Sequence, residues 1–477
     1  MYIGVDQGTT STRAILFDDS FRVLKISRRK FRQIYPREGW VEHDPWEIWG
    51  TVVSVVEEIL SGVKTEEIYS MGITNQRETI IAWDSESGEI LYNAIVWQCR
   101  RTAKRSKELR KVYGDLIHEK TGLVVDPYFS ATKMEWMMEN VDSVKRSKEK
   151  GTLRFGTMDS FLAWKMTGKH VTDHSNASRT MLYNIGKMDW DDELLELFKV
   201  PRWSLPELVD SAEIVGDTRW GIPLSGMIGD QQGALFGQLA FNEGDVKITM
   251  GTGSFILMNI GKAPELSKNG LLTTIGWKIK DEVIYAFEGS VFVTGALIDW
   301  LISLDMFGSP QEINRLAEES DNGGVYLVPA LTGLGAPHWD PYARGLMIGM
   351  TRKTSKGNIA RAALESIAFS IKELVDIMEK DSGKKVKSLM VDGGVSKSDI
   401  LLRVLSSTTG NVVERPQNME TTATGAVMLS AIGVGKVKKS DLKKYKVVEK
   451  KYNEDKGFEE EFERWKEAVK RSKNWSR

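Results

Sequence analysis

Apolar and polar positions are patterned from the first residues of the chain. Two apolar runs, Tyr2-Ile3-Gly4-Val5 and Ala14-Ile15-Leu16-Phe17, flank a polar tip that holds Gly8 and the hydroxyls of Thr9, Thr10, Ser11 and Thr12. The pattern predicts a β-hairpin with Asp6 at the end of its first strand. A strand over 22–27 follows. The period then changes. Asp44-Pro45-Trp46-Glu47 opens a helix, with Asp as N-cap, Pro in the first position and Glu three residues after the cap. Trp49, Val52, Val53, Val56, Ile59 and Leu60 make one apolar face, and Gly62 ends it. A strand over 68–74, the polar turn Asn75-Gln76-Arg77-Glu78 and a strand over 79–84 come next. Strands alternating with helices predict an α/β domain.

A second strand–tip–strand unit occupies 245–260, with Gly251-Thr252-Gly253-Ser254 as its tip. Two such units about half a chain apart predict two domains on one plan, 1–240 and 241–477. Downstream, 358–380 is an amphipathic helix, and Leu389-Met390-Val391-Asp392 is a strand running into Gly393-Gly394. Helices over 398–407 and 458–475 complete the pattern.

A length of 477 residues is too much for one core and also implies two domains. Lys+Arg number 65 against 66 Asp+Glu, which leaves no net field for nucleic acid or an anionic membrane. The basic runs 100–111 and 436–451 read as solvated faces, so no nucleic-acid partner is expected. The lone cysteine, Cys99, excludes an intrachain disulfide and fits a reducing compartment. The N-terminus lacks the layout of a signal peptide, and no apolar run is long enough for membrane insertion. A cytoplasmic enzyme is expected.

Each of three glycine tips, at Gly8, at 251–254 and at 393–394, sits at a strand end. Each lets backbone approach a ligand. Any one is equally an ordinary turn; together they imply a nucleotide between two domains. Asp6 can hold Mg²⁺, through water. The chain has no G-x-x-x-x-G-K-[ST] motif and no third glycine after Gly251-x-Gly253 or Gly333-x-Gly335. His170 and His174 have metal-pair spacing, but the residues between them disfavour a helix and no third ligand is near.

This constellation resembles the FGGY carbohydrate kinases of the actin-like ATPase superfamily. The resemblance is carried by the opening hairpin, 251–254, 391–398, 128–136 and 345–365, and covers nearly the whole chain. It implies two ribonuclease H-like α/β domains flanking a nucleotide cleft. Gly72 to Thr79, Trp97-Gln98-Cys99-Arg100-Arg101, Asp126-Pro127-Tyr128-Phe129, Gly229-Asp230-Gln231-Gln232 and 333–337 bring it nearest to the glycerol-phosphorylating members. Glycerol and ATP are the implied substrates, Mg²⁺ the cofactor and a homo-oligomer the assembly. A family kinase for another polyol or sugar, such as xylulose or gluconate, is the alternative. A third reading, a non-kinase ATPase switch, leaves Arg77, Glu78 and Asp230 without a joint role.

For a polyol, Arg77 is a donor fork and Glu78 an adjacent acceptor, although two such charges alone equally read as a surface ion pair. Trp97, Tyr128 and Phe255 would wall its carbon side, and Gln231 would hold a hydroxyl. Asp230 follows a strand and opens a helical run, so it is either an N-cap or a general base kept ionised by the helix dipole. By resemblance, Thr9, Thr10, Ser11 and Arg13 meet the transferring phosphoryl group. Thr252, Gly295 and Gly394 bind the nucleotide. Asp299 and Ser398, where relatives often carry Gln and Asn, lie near its base or ribose.

Overall fold

The opening hairpin forms as its alternation dictates. Tyr2–Gln7 and Ser11–Phe17 pair antiparallel, with Asp6 opposite Arg13. In the computed structural model, which describes residues 1–476, this hairpin forms the fourth and fifth strands of a six-stranded sheet. Its order is Gly216–Asp217, Pro223–Gly229, Ser70–Asn75, Tyr2–Gln7, Ser11–Phe17 and Val23–Lys30. Tyr2–Gln7 and Ser70–Asn75 are buried along their whole lengths, as fits parallel neighbours covered on both faces.

The second unit repeats the plan. Val246–Met250 and Ser254–Gly261 form its hairpin. Glu282–Val291 pairs antiparallel on one side, and Ser388–Asp392 and then Val412–Pro416 pair parallel on the other. Strand order and directions match those of the first sheet, with Val448–Tyr452 in the place of Gly216–Asp217 and Leu272–Ile279 added at the far edge.

The helix Pro45–Leu60 starts where the capping signature puts it, and the Asp44 carboxylate accepts from the N–H groups of Trp46 and Glu47. It buries Ile48, Trp49, Val52, Val55, Val56 and Ile59. The buried stripe is thus turned slightly from the expected one: Val53 and Leu60 are only half-buried. The helix closes at Ser61, one residue before Gly62.

The domains interlock through two helices, Asp230–Gly237 and Thr421–Gly433. Thr421–Gly433 comes from the second half of the chain yet packs against the first sheet. Small residues make this possible. A Cβ on Gly72 would sit 2.3 Å from the carbonyl oxygen of Ala426, and one on Gly425 would sit 1.9 Å from that of Gly233. Among the described residues, no helix is long and apolar enough to cross a membrane.

Candidate functional site

In the first sheet Gln7, Asn75 and Gly229 lie side by side in register. The segments that follow them, Gly8 to Thr10, Gln76 to Glu78 and Asp230, therefore meet at one end. The hairpin tip is closed by Gly8 N–H on the Ser11 carbonyl (3.0 Å). Gln76 reaches the Gly8 carbonyl, and Gln33 reaches that of Thr9. The Trp97 indole N–H donates to Thr9 Oγ1 at 2.9 Å.

The four hydroxyls are not equivalent. Thr12 points to the opposite face and bonds Thr51, as strand alternation requires. Ser11 Oγ accepts from Arg28 and Thr9 Oγ1 from Trp97, which leaves Thr10 exposed at the tip. Arg13, expected on the phosphoryl group, donates instead to Asp6 and to Glu420 of the second domain. The cause is cross-strand pairing, which sets the two opposite charges face to face.

Arg77 and Glu78 are not a surface pair: both are buried. Glu78 adopts φ +60°, a conformation that costs a non-glycine residue about 1–2 kcal/mol, and Ser130 Oγ holds its carbonyl. The Arg77 guanidinium grips Glu288 with two bonds, at 2.5 and 3.0 Å, and its Nε lies 3.1 Å from Asp230 Oδ1. Arg179 donates to Glu78 Oε1 at 2.6 Å and to Glu288 Oε1 at 2.9 Å. Glu78 Oε2 has no hydrogen-bond partner among the described residues. Burial alone would raise Glu288, but Arg179 and Arg77 override it and hold the carboxyl below its ordinary range.

Arg179, Glu288 and Lys247 went unread in the sequence. Register explains the last two. Lys247 pairs with Leu257, and Leu257 with Glu288, so all three share one sheet face. Phe255 lies two residues along that face, half-buried. Lys247 donates to Gln231 Oε1 at 2.5 Å, and the Gln231 amide N–H₂ has no partner among the described residues. Burial lowers the Lys247 ammonium to about 8, against the opposing pull of Asp392 and Asp230. The one local signal is a single charge inside an apolar strand, as in Val246-Lys247-Ile248 and Ala286-Phe287-Glu288.

Asp230 is the first residue of its helix, and Gly229 occupies the capping position. The helix dipole does not decide its charge. Burial is the largest influence and raises the carboxyl to about 6; Arg77 and Lys247 oppose the rise, and Glu78 and Asp6 add to it. That corrects the expectation of a depressed value and makes Asp230 a stronger base. Trp97 and Tyr128 stack edge to face at 5.5 Å, with Tyr128 in the field of Glu78, Arg77 and Arg179. Burial pushes the Tyr128 phenol far up, so it stays neutral.

The remaining expected residues gather on the second sheet. Thr252 is exposed at the hairpin tip, and its carbonyl accepts from the N–H groups of Thr294 and Ala296. Gly295 packs on Gly251: a Cβ there would lie 2.7 Å from the Gly251 carbonyl oxygen and 3.1 Å from Val395. Its missing side chain therefore serves backbone packing. At Gly394 a Cβ would meet nothing within 4 Å, so that face is open. Asp299 is exposed. Ser398 is committed to capping the helix Asp399–Thr409 and donates to Asn314 at 2.7 Å. His170 and His174 flank a short strand and bond separately, to the Phe155 carbonyl and the Tyr183 hydroxyl.

This geometry can set a hydroxyl-bearing substrate between Glu78 Oε2, Arg77 and the Asp230 carboxylate, with backbone tips on either side for phosphates. Comparison with known proteins agrees. The N-terminal domain model of the FGGY family of carbohydrate kinases matches residues 1–237, and the C-terminal domain model matches 246–434. "Glycerol kinase 2" of Thermotoga maritima is 49% identical over 100% of this chain and 99% of its own length. "Glycerol kinase" of Clostridium beijerinckii is 48% identical over 99% and 98%. The crystal structure of Plasmodium falciparum glycerol kinase with ADP superposes with a TM-score of 0.93 at 33% identity, covering 99% of this chain and 98% of that one. With a model for each half of the chain matched in order, this protein belongs to the FGGY family of carbohydrate kinases.

Proposed function

We propose that this chain transfers the γ-phosphoryl group of ATP to glycerol, giving sn-glycerol 3-phosphate and ADP. The observation that carries the reading is the Asp230 carboxylate, raised to about 6 and set 3.1 Å from the Arg77 fork, beside the unpaired oxygen of Glu78. Relatives named glycerol kinase at 49% identity over the full chain support the substrate.

Arg77 donates to one hydroxyl and Glu78 Oε2 accepts from its neighbour, while the unpartnered amide N–H₂ of Gln231 donates to a third oxygen. Trp97, Tyr128 and Phe255 cover the carbon side. The terminal hydroxyl attacks the γ-phosphorus, its proton passes to Asp230, and the bond to the β–γ bridging oxygen breaks. Such a transfer has a loose transition state that rests on positioning and charge. Arg13, released from Asp6, neutralises charge on the moving group, together with the backbone and hydroxyls of Thr9, Thr10 and Ser11. Thr252 and the open face of Gly394 take the nucleotide, with Gly295 supporting the tip. Asp299 remains free to reach the base, whereas Ser398 supports the fold.

Mg²⁺ fits the donor set. Asp6 Oδ2 pairs with Arg13, but Oδ1 has no partner among the described residues, and Asp6 is near enough to Asp230 to raise it. Bound there, through water, the ion would neutralise phosphate charge. We extend the reading to a cytoplasmic enzyme acting as a homo-oligomer, and to domain limits at 1–240 and 241–477.

A coupled ADP-release assay over glycerol, dihydroxyacetone, xylulose and gluconate tests it. Turnover is expected with glycerol and only slowly with the sugars. Turnover on a sugar with none on glycerol overturns the substrate, and ATP hydrolysis indifferent to every polyol overturns the transfer.

A further inference from the structure

A cavity of about 520 Å³ lies apart from the polyol and nucleotide residues, at the junction of the domains. Its first-domain wall is the turn from Ser20 to Val23 and the end of the interlocking helix at Gln238 and Leu239. That turn joins Ser11–Phe17 to Val23–Lys30 at the end of the sheet opposite the hairpin tip. The second-domain wall is made by Pro416, Asn418, Thr424, Met428 and the segment 444–448.

The lining has a definite chemistry. Phe21 and Tyr445, one from each domain, meet edge to face at 5.0 Å, with Leu239 and Met428 beside them. The rim is cationic. Arg22 pairs with Asp18, and Glu414 is shared by Lys446 and Lys451, each at 2.7 Å. Lys444 lies over the Tyr445 ring at 5.0 Å and pairs with no carboxylate among the described residues. Among the lining residues, Arg22, Lys444 and Lys446 thus stand against one carboxylate, Glu414. Lys444 and Lys446 belong to the basic run 436–451, which in the sequence reads as a solvated face.

The cavity is also wired to the nucleotide turn. Gln238 and Thr421, both lining it, donate to the same oxygen of Asp392 at 2.8 and 2.7 Å. Asp392 ends its strand and leads directly into Gly393-Gly394. Whatever fills the cavity touches both domains and the two groups that fix Asp392.

We infer that this cavity is a regulatory site for a small organic anion with an apolar, ring-sized body, coupled to the nucleotide turn through Asp392. Coupling is reciprocal, so such a ligand and ATP must change each other's affinity by the same factor.

The probe is 8-anilinonaphthalene-1-sulfonate, a sulfonate on an aromatic body, titrated against the whole enzyme by fluorescence. Saturable one-to-one binding is expected. Thr424→Trp, which fills the cavity, should abolish it, and Lys444→Glu should weaken it about tenfold without changing kcat. Saturating ADP should shift the probe's affinity, and saturating probe should shift the dissociation constant of ADP, by the same factor of about five or more. Absence of saturable binding, or binding that Thr424→Trp and Lys444→Glu leave intact, overturns the site. Displacement by ATP in Thr424→Trp as in the parent places the probe in the catalytic cleft and also overturns it. Binding at the cavity with no change in the dissociation constant of ADP overturns the coupling. Lys444→Glu lies on an exposed side chain and keeps the test decisive if the tryptophan variant does not fold.

Discussion

Asp230→Asn removes a charge that the fold buries with incomplete compensation, so its effects on activity and on stability should have opposite signs. A rise from 3.8 to about 6 corresponds to about 3 kcal/mol at 1.36 kcal/mol per pH decade. The side chain is 27% exposed, and solvent screening reduces the figure to about 1–2 kcal/mol. A raised folded-state value means that the folded protein prefers the protonated form. The ionised form therefore costs stability, fully above about pH 6 and vanishingly as the pH falls toward 4. Asn carries no charge at either pH. The variant should thus gain about 1–2 kcal/mol at about pH 7.5, roughly 2–8 °C in thermal midpoint for a domain of this size. At about pH 3, below the ordinary value of 3.8, both states are protonated and the gain should shrink toward zero. The same variant should lose kcat about 10²–10⁴-fold in the ADP-release assay if Asp230 takes the hydroxyl proton. Calorimetry at the two pH values and steady-state kinetics measure both halves. Equal midpoints at the higher pH, or a gain that persists at the lower, would refute the burial account. Retained turnover would refute the base.

Three further outcomes follow from the same neighbourhood. The kcat/KM profile should fall tenfold per pH unit below about 6, where Asp230 becomes protonated; Lys247→Met removes a cation that opposes the rise, so its acid limb should move above that of the parent. That variant should also raise the KM for glycerol, because Gln231 loses the group that orients it, and an unmoved limb would show that Lys247 does not act on Asp230. Glu288→Gln leaves Arg77 and Arg179 buried without their shared carboxylate, which should cost about 3–5 kcal/mol in urea unfolding; a loss below 1 kcal/mol would mean that water replaces the carboxylate. Gly425→Ala sets a methyl group 1.9 Å from the Gly233 carbonyl oxygen, so the crossing helices must separate, with an expected cost of about 1–3 kcal/mol and a higher KM for both substrates.

What the chain discloses by itself depends on the range of the interaction. The hairpins at Gly8 and Gly251 are legible because a two-residue alternation broken by glycine is local, and the Asp44 cap is legible for the same reason. Asp230 is locatable too, but local reasoning gives its charge the wrong bias. A helix N-terminus depresses a carboxyl, whereas the burial that wins, and the charges of Arg77, Glu78, Lys247 and Asp6 that modify it, come from segments distant in sequence. Gly295 carries a second constraint that the sequence does not show, because a side chain there would meet the Gly251 carbonyl. Lys247 and Glu288 are hidden more deeply, since only the pairing of Lys247 with Leu257 and of Leu257 with Glu288 brings them onto one face. Both residues belong to the second sheet, yet one orients Gln231 and the other holds Arg77 in the first. The polyol-binding residues are therefore set in place by contacts that cross the cleft. Movement of one domain against the other must disturb the polyol site as well as the nucleotide tips, which links occupancy of either substrate site to the geometry of the other.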